Sequence, residues 1–163
     1  MITFLETSGG TNGEYVSFEL RVRPHGFAVA PHIHPFAEES FEIRSGMCTF
    51  VADGNERKVG PGEEATVPAG AVHAWWNAGD EEGVAIVDFR PDFKTEEFFG
   101  LAQDGKVSGK TGLPNLLWLA YIFRTYNEFG YIVKPPLFVR RAVLGPLGPV
   151  ARLFGYRLPH PYP

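Results

Sequence analysis

Residues 26–46 read GFAVAPHIHPFAEESFEIRSG and residues 62–77 read GEEATVPAGAVHAWWN. The first stretch predicts two strands, 27–34 and 39–44, joined by a turn at Pro35-Phe36-Ala37-Glu38. Side chains two apart on a strand share a face, so His32 and His34 point the same way. Glu39 opens the second strand with Phe41 and Ile43 on its face, and Glu42 and Arg44 fall opposite. In the second stretch His73 begins a strand and shares its face with Trp75 and Asn77. An isolated His-x-His on a strand is ordinarily two partly exposed polar side chains. Three imidazoles and a carboxylate on strands are a different matter, because such a donor set suits iron, manganese, cobalt, nickel, copper or zinc as a divalent ion. Rigid strands also hold ligands better than loops do. Glu38 is the competing carboxylate, and strand register favours Glu39.

The spacing is more specific than the composition. Gly26, His32, His34, Glu39 and Gly46 fit G-x5-H-x-H-x4-E-x6-G, and Gly62, Pro68, Gly70, His73 and Asn77 fit G-x5-P-x-G-x2-H-x3-N. These are the two motifs of the cupin family, and the chain resembles that family at every fixed position of both. The fifteen residues between Gly46 and Gly62 match the short spacers common there. The resemblance covers about residues 14–90. It implies an all-β fold, a double-stranded β-helix barrel, and a metal-ligand role for His32, His34, Glu39 and His73. It also implies that Asn77 is structural. Gly46, Gly62 and Gly70 stand where tight turns need positive φ, and Pro68 suits a strand edge where no amide donor is required.

Outside the motifs the chain divides in two. Residues 14–23 (EYVSFELRVR) alternate, with Val16, Phe18, Leu20 and Val22 on one face. Further strands are expected at 47–52, 56–59, 64–68, 72–77 and 84–90, separated by Asp53-Gly54 and other glycine-bearing turns. After Arg90-Pro91 the pattern becomes helical. Thr95 can cap a first helix with Glu96 and Glu97 in its first turn, ending near Gly105. A second helix starts at Pro114 and carries the stripe Leu116, Leu119, Ala120 and Phe123, with Gly130 as its stop. A third starts near Pro136 and is expected to break at Gly145-Pro146. The expectation is a barrel over 1–91 and a helical C-terminal extension over 92–163. That extension should bury Leu116, Leu119, Phe123 and Phe138 against the barrel or a second subunit. The proline-rich tail from Leu158 is expected to be extended.

Length and charge narrow the function. The 163 residues suit one core. The net charge of −4 is too mild to suggest nucleic-acid binding. It is unevenly placed: through Gln103 there are 17 acidic against 7 basic residues, and from Asp104 onward 2 against 8. An interfacial membrane helix near Leu137–Arg141 is the minor reading of the basic half, beside helices packed on the barrel and a flap over its mouth. The single cysteine, Cys48, rules out an internal disulfide and reads as a buried small residue. The start of the chain lacks the pattern of a signal peptide, and the expected location is cytoplasmic. His25 in a turn and His160 in the tail read as solvated.

The complete three-histidine, one-glutamate set resembles that of quercetinase-like and oxalate-oxidising cupins. The resemblance thus implies a metal-dependent, oxygenase-like enzyme, and the apolar inward faces of the motif strands point to a small apolar or aromatic compound. Glu39 would be a metal ligand and, as the bolder idea, a base. Phe36, Phe41, Ile43 and Trp75 are the candidate pocket residues, with core packing as their plainer role. No Lys or Arg falls on the inward face of either motif strand, and a phosphate would need such cations to offset its desolvation. The alternative is a non-catalytic module binding a metal or small ligand. A homodimer is the default assembly.

Overall fold

A computed structural model describes residues 1–103, 116–126, 128–134 and 136–154; within these, the side chains of 27–29, 100–103, 118, 119, 123 and 137 are not described. The expected helix start at Pro114, the loop before it and the tail with His160 lie outside the described residues, as do the side chains of Leu119 and Phe123.

Nine strands precede the first helix: β1 (Ile2–Glu6), β2 (Val16–Val22), β3 (Phe27–Ile33), β4 (Glu38–Ser45), β5 (Cys48–Ala52), β6 (Asn55–Val59), β7 (Glu64–Val67), β8 (His73–Asn77) and β9 (Gly83–Arg90). Then come α1 (Thr95–Gln103), α2 (Leu116–Thr125), β10 (Tyr131–Ile132) and α3 (Leu137–Leu153). The strands form two five-stranded antiparallel sheets, ordered β1-β2-β9-β4-β7 and β10-β3-β8-β5-β6. Mostly β-structure in two facing sheets with C-terminal helices is the expected double-stranded β-helix with a helical extension.

Strand parity places the core between the sheets. On β9 the alternate residues Ala85, Val87 and Phe89 are buried, and on β4 so are Glu39, Phe41 and Ile43. The opposite faces of these strands are half-buried or exposed, the period of two seen in the sequence. Gly46, Gly62 and Gly70 all have positive φ. Gly46 has a second reason to be glycine, since a Cβ there would stand 2.7 Å from Gly83 Cα. Asn77 is fully buried and acts as a clamp. Its Nδ2 donates to the carbonyls of Val22 (3.2 Å), Arg23 (3.2 Å) and Glu81 (2.7 Å), and its Oδ1 accepts from Gly79 N–H (3.0 Å). One side chain thus ties β8 to the end of β2 and to the turn before β9.

The extension departs from expectation in three ways. First, the Thr95 side chain does not cap α1: its Oγ1 is buried with no hydrogen-bond partner, and the Thr95 N–H that opens the helix donates to Asp92 Oδ1 at 3.0 Å. Second, α2 ends at Thr125, not at Gly130, because Tyr126 and Phe129 both turn into the core. Third, α3 runs unbroken through Pro146 and Pro149. Both prolines are on the exposed side, so water can satisfy the carbonyls whose amide partners they lack. Leu116 and Phe138 are 51% and 73% exposed in the single chain, so the barrel does not cover them, which leaves a second subunit as their expected cover. Helices α2 and α3 instead pack on each other through small residues, with Ala120, Gly148 and Ala151 buried. Strands β1 and β10 were not anticipated. Among the described residues no helix is long and apolar enough to cross a membrane.

Candidate metal centre

The four candidate ligands come from both sheets and meet in the core. His32 lies on β3 and His73 opens β8, and these strands are paired with His32 opposite His73. Their ring centroids are 4.1 Å apart. His34 stands just past the end of β3, its ring 4.8 Å from that of His32. Glu39 comes from β4 in the facing sheet, flanked by Val67 of β7 and Phe89 of β9. All four side chains are buried, from 2% to 6% exposed, and one ligand atom from each lies within 4.8 Å of the others. Glu38 is exposed.

Hydrogen bonds define which nitrogen each imidazole offers. A carbonyl oxygen can only accept, so a ring nitrogen bonded to one must carry the proton. Nδ1 of His32 donates to Ala30 O (3.0 Å), Nδ1 of His73 to Ala71 O (3.1 Å) and Nδ1 of His34 to Phe129 O (2.6 Å). In His32 and His34 a neutral ring fixed in this way directs the Nε2 lone pair inward, whereas the Nε2 of His73 donates to Glu39 Oε2 and must give up that proton to act as a metal ligand. Glu39 Oε2 is 2.8 Å from His73 Nε2 and 3.6 Å from His34 Nε2. His34 Nε2 is buried and has no hydrogen-bond partner. A buried, unpartnered lone pair aimed at a carboxylate and two other imidazoles is costly without a cation, and a divalent ion satisfies it. The residues present therefore fit a metal and can hold one.

Burial sets the protonation. It pushes the His32 imidazole down to about 4, aided by neighbouring His73 and opposed by Glu39. Burial also lowers His34, against the pull of Glu39. For His73 burial acts downward too, but the hydrogen bond and charge of Glu39 prevail and raise it. Neutral imidazoles at His32 and His34 are the form that binds a metal.

A cavity of about 390 Å³ opens beside the centre, reached by His32, His34 and Glu39. Its walls are largely aromatic: Phe18, Trp75 and Phe89 from the barrel, and Phe98, Phe99 and Phe129 from the extension. Of the four pocket candidates, Trp75 lies on this wall. Phe41 and Ile43 are instead fully buried, with the Phe41 ring 4.7 Å from that of Phe50. Phe36 is 58% exposed and leans on Phe93 at 5.8 Å. Arg21 and Arg23, from β2 and its end, also border the cavity. Arg21 is exposed and its guanidinium is engaged by Glu19 (2.8 Å) and Glu82 (3.2 Å). His25 does not join the cluster; it is exposed and 3.0 Å from Asp80.

The phenylalanines of α1 and the Phe129–Gly130 segment were missed as site residues. Gly130 was the one available signal, and its sequence position suggests only a helix stop.

A family profile described as "Cupin domain" matches residues 18–89. No protein of curated function matches the sequence. Several solved structures resemble the barrel. One is a protein from Thermotoga maritima described as a predicted oxalate decarboxylase: 16% identical, covering 56% of this chain and 79% of that one, with a TM-score of 0.53. KdgF from a Halomonas species is 14% identical over 58% of this chain and 82% of its own, with a TM-score of 0.52. The DMSP lyase DddQ from Ruegeria pomeroyi is 28% identical over 58% of this chain, with a TM-score of 0.50, and the match spans 48% of that protein. Sequence profile, strand order and the buried histidine-glutamate cluster agree in identifying residues 18–89 as a match to the cupin domain.

Proposed function

We propose that His32, His34, Glu39 and His73 hold one divalent transition-metal ion, and that the chain acts on a small apolar or aromatic molecule bound beside it in an oxygenase-like reaction. The observation that carries this reading is the convergence of three imidazoles, each with Nδ1 fastened to a carbonyl, on one carboxylate at the edge of an aromatic cavity. When bound, the ion supplies a Lewis acid and a template for substrate. The chain's own residues do the rest. Phe98, Phe99 and Phe129 exclude water from the cavity and offer flat apolar surface. Glu39 lowers the net charge at the centre, and its Oε2 is the oxygen placed to take up a proton. A volume of about 390 Å³ suits a small organic molecule.

A second reading is a lyase. The 28% identity to the DMSP lyase favours it, and the same carboxylate would remove a proton in a dioxygen-independent cleavage. A third is a module that binds metal and ligand without turnover. Dioxygen uptake by the metal-loaded protein with a panel of small unsaturated and aromatic compounds tests the first reading. Turnover that continues without dioxygen supports the lyase, and tight binding without product supports the module. Metal content below about 0.1 ion per chain after loading would defeat all metal-based readings.

A homodimer accompanies the proposal. The exposed Phe138 and Leu116 lie on a basic extension, while the barrel half is acidic, so a second copy offers a complementary surface. Light scattering at micromolar concentration tests this, and a monomer refutes it.

A further inference from the structure

Two of the three imidazoles are oriented locally, His32 by a carbonyl two residues back and His73 likewise. His34 is not. Its Nδ1 donates to Phe129 O, 95 residues further along the chain and beyond α2. We propose that the segment Phe129–Ile132 of the extension is a positioning element of the metal centre, and that Gly130 is glycine to let it seat against His34.

Three observations carry the assignment. Strand β10 pairs with β3, Tyr131 opposite Ile33 and Ile132 opposite His32, so the segment covers the outer edge of the strand that carries the histidines. The His34 ring is packed between Phe89 (4.7 Å) and Phe129 (4.9 Å), so its plane is held by apolar contact as well as by the hydrogen bond. At Gly130 an added Cβ would stand 2.7 Å from His34 Nδ1, 2.9 Å from His34 Cε1 and 2.9 Å from Ile33 O. Space, not torsion, excludes a side chain here. Either the imidazole rotates or β10 lifts, and in both cases the bond to Phe129 O is lost. The barrel alone therefore leaves His34 without a partner for Nδ1, and the extension supplies it.

This inference rests on the metal reading above, and Gly130→Ala tests it. Gly145→Ala is the matched control, because that glycine is also in the extension and a Cβ there meets nothing within 4 Å. Affinity for Co²⁺ is measured by chelator competition, together with the visible spectrum of the bound ion, which a merely structural change would not move. Loss of a ligand-orienting partner weakens metal affinity by about 10- to 100-fold. The expected result is a loss of that size with an altered spectrum for Gly130→Ala, and no change for Gly145→Ala. Wild-type affinity and spectrum in Gly130→Ala would overturn the assignment. A second measurement needs neither a variant nor a metal. In the metal-free wild-type protein, NMR should show a proton–proton contact between the His34 imidazole and the Gly130 α-protons. Its absence would overturn the assignment even if Gly130→Ala fails to fold. Failure of the wild type to bind any metal would instead sink the metal reading, while this contact stands or falls by itself.

Discussion

Stripped of metal, the protein should lose stability as the pH falls from 6.5 toward 4, and His32 sets the scale. Burial, with the nearby His73 ring, holds its imidazole at about 4, against 6.5 in the unfolded chain. Between those values the unfolded chain binds a proton that the native state refuses. Stability must therefore decline with acidification, by about 1.4 kcal/mol per pH unit for one such group. Over the whole window His32 accounts for about 3 kcal/mol, and from pH 6.5 to about pH 5 for about 2 kcal/mol. His34, lowered by its burial, adds to the decline. His73 works the other way. Its raised value makes it a source of stability at low pH that is lost as pH rises, so it offsets part of the loss. The assay is the urea midpoint of chelator-treated protein at about pH 7 and about pH 5. For an ordinary m-value a change of about 2 kcal/mol moves the midpoint by about 1 M. His32→Asn should make the decline shallower. A decline in His32→Asn as steep as that of the wild type would refute the reasoning, because it would mean that His32 is not held neutral by the core.

Three further outcomes are expected. His34→Ala should reduce bound metal from about one ion per chain to a small fraction by elemental analysis, whereas His25→Ala, at an exposed turn beside Asp80, should leave it unchanged. Asn77→Ala should destabilise the fold by about 3 kcal/mol in urea titration, since it strips partners from three carbonyls and one amide at a fully buried site; a loss under about 1 kcal/mol would show that water replaces the clamp. Cys48 is 1% exposed and burial pushes its thiol up to about 11. Its reaction with a disulfide reagent should accordingly be far slower than that of a free thiol until the protein is unfolded.

The parts legible in the sequence are those written in local spacing. A strand repeats every two residues whatever it packs against, so parity alone put His32 and His34 on one face and Phe41 and Ile43 with Glu39. Glycine and proline mark turns through their own torsional limits, which is why Gly46, Gly62 and Gly70 could be placed as left-handed before any contact was known. The two motifs added what spacing alone lacks, the meeting of His73 with residues some forty positions earlier. Sharing an inward face did not, however, separate wall from core: Trp75 borders the cavity, while Phe41 and Ile43 are sealed beneath it. Only tertiary closure could reveal that the extension supplies aromatic wall and the hydrogen-bond acceptor of a candidate ligand. Gly130 follows a helix in sequence and reads as its stop, yet its reason is an imidazole 96 residues away. Pro146 and Pro149 look like helix breakers and are not, because their missing bonds fall on the solvent side. In each case the deciding quantity is a distance between segments remote along the chain, and residue spacing within one segment carries no record of it.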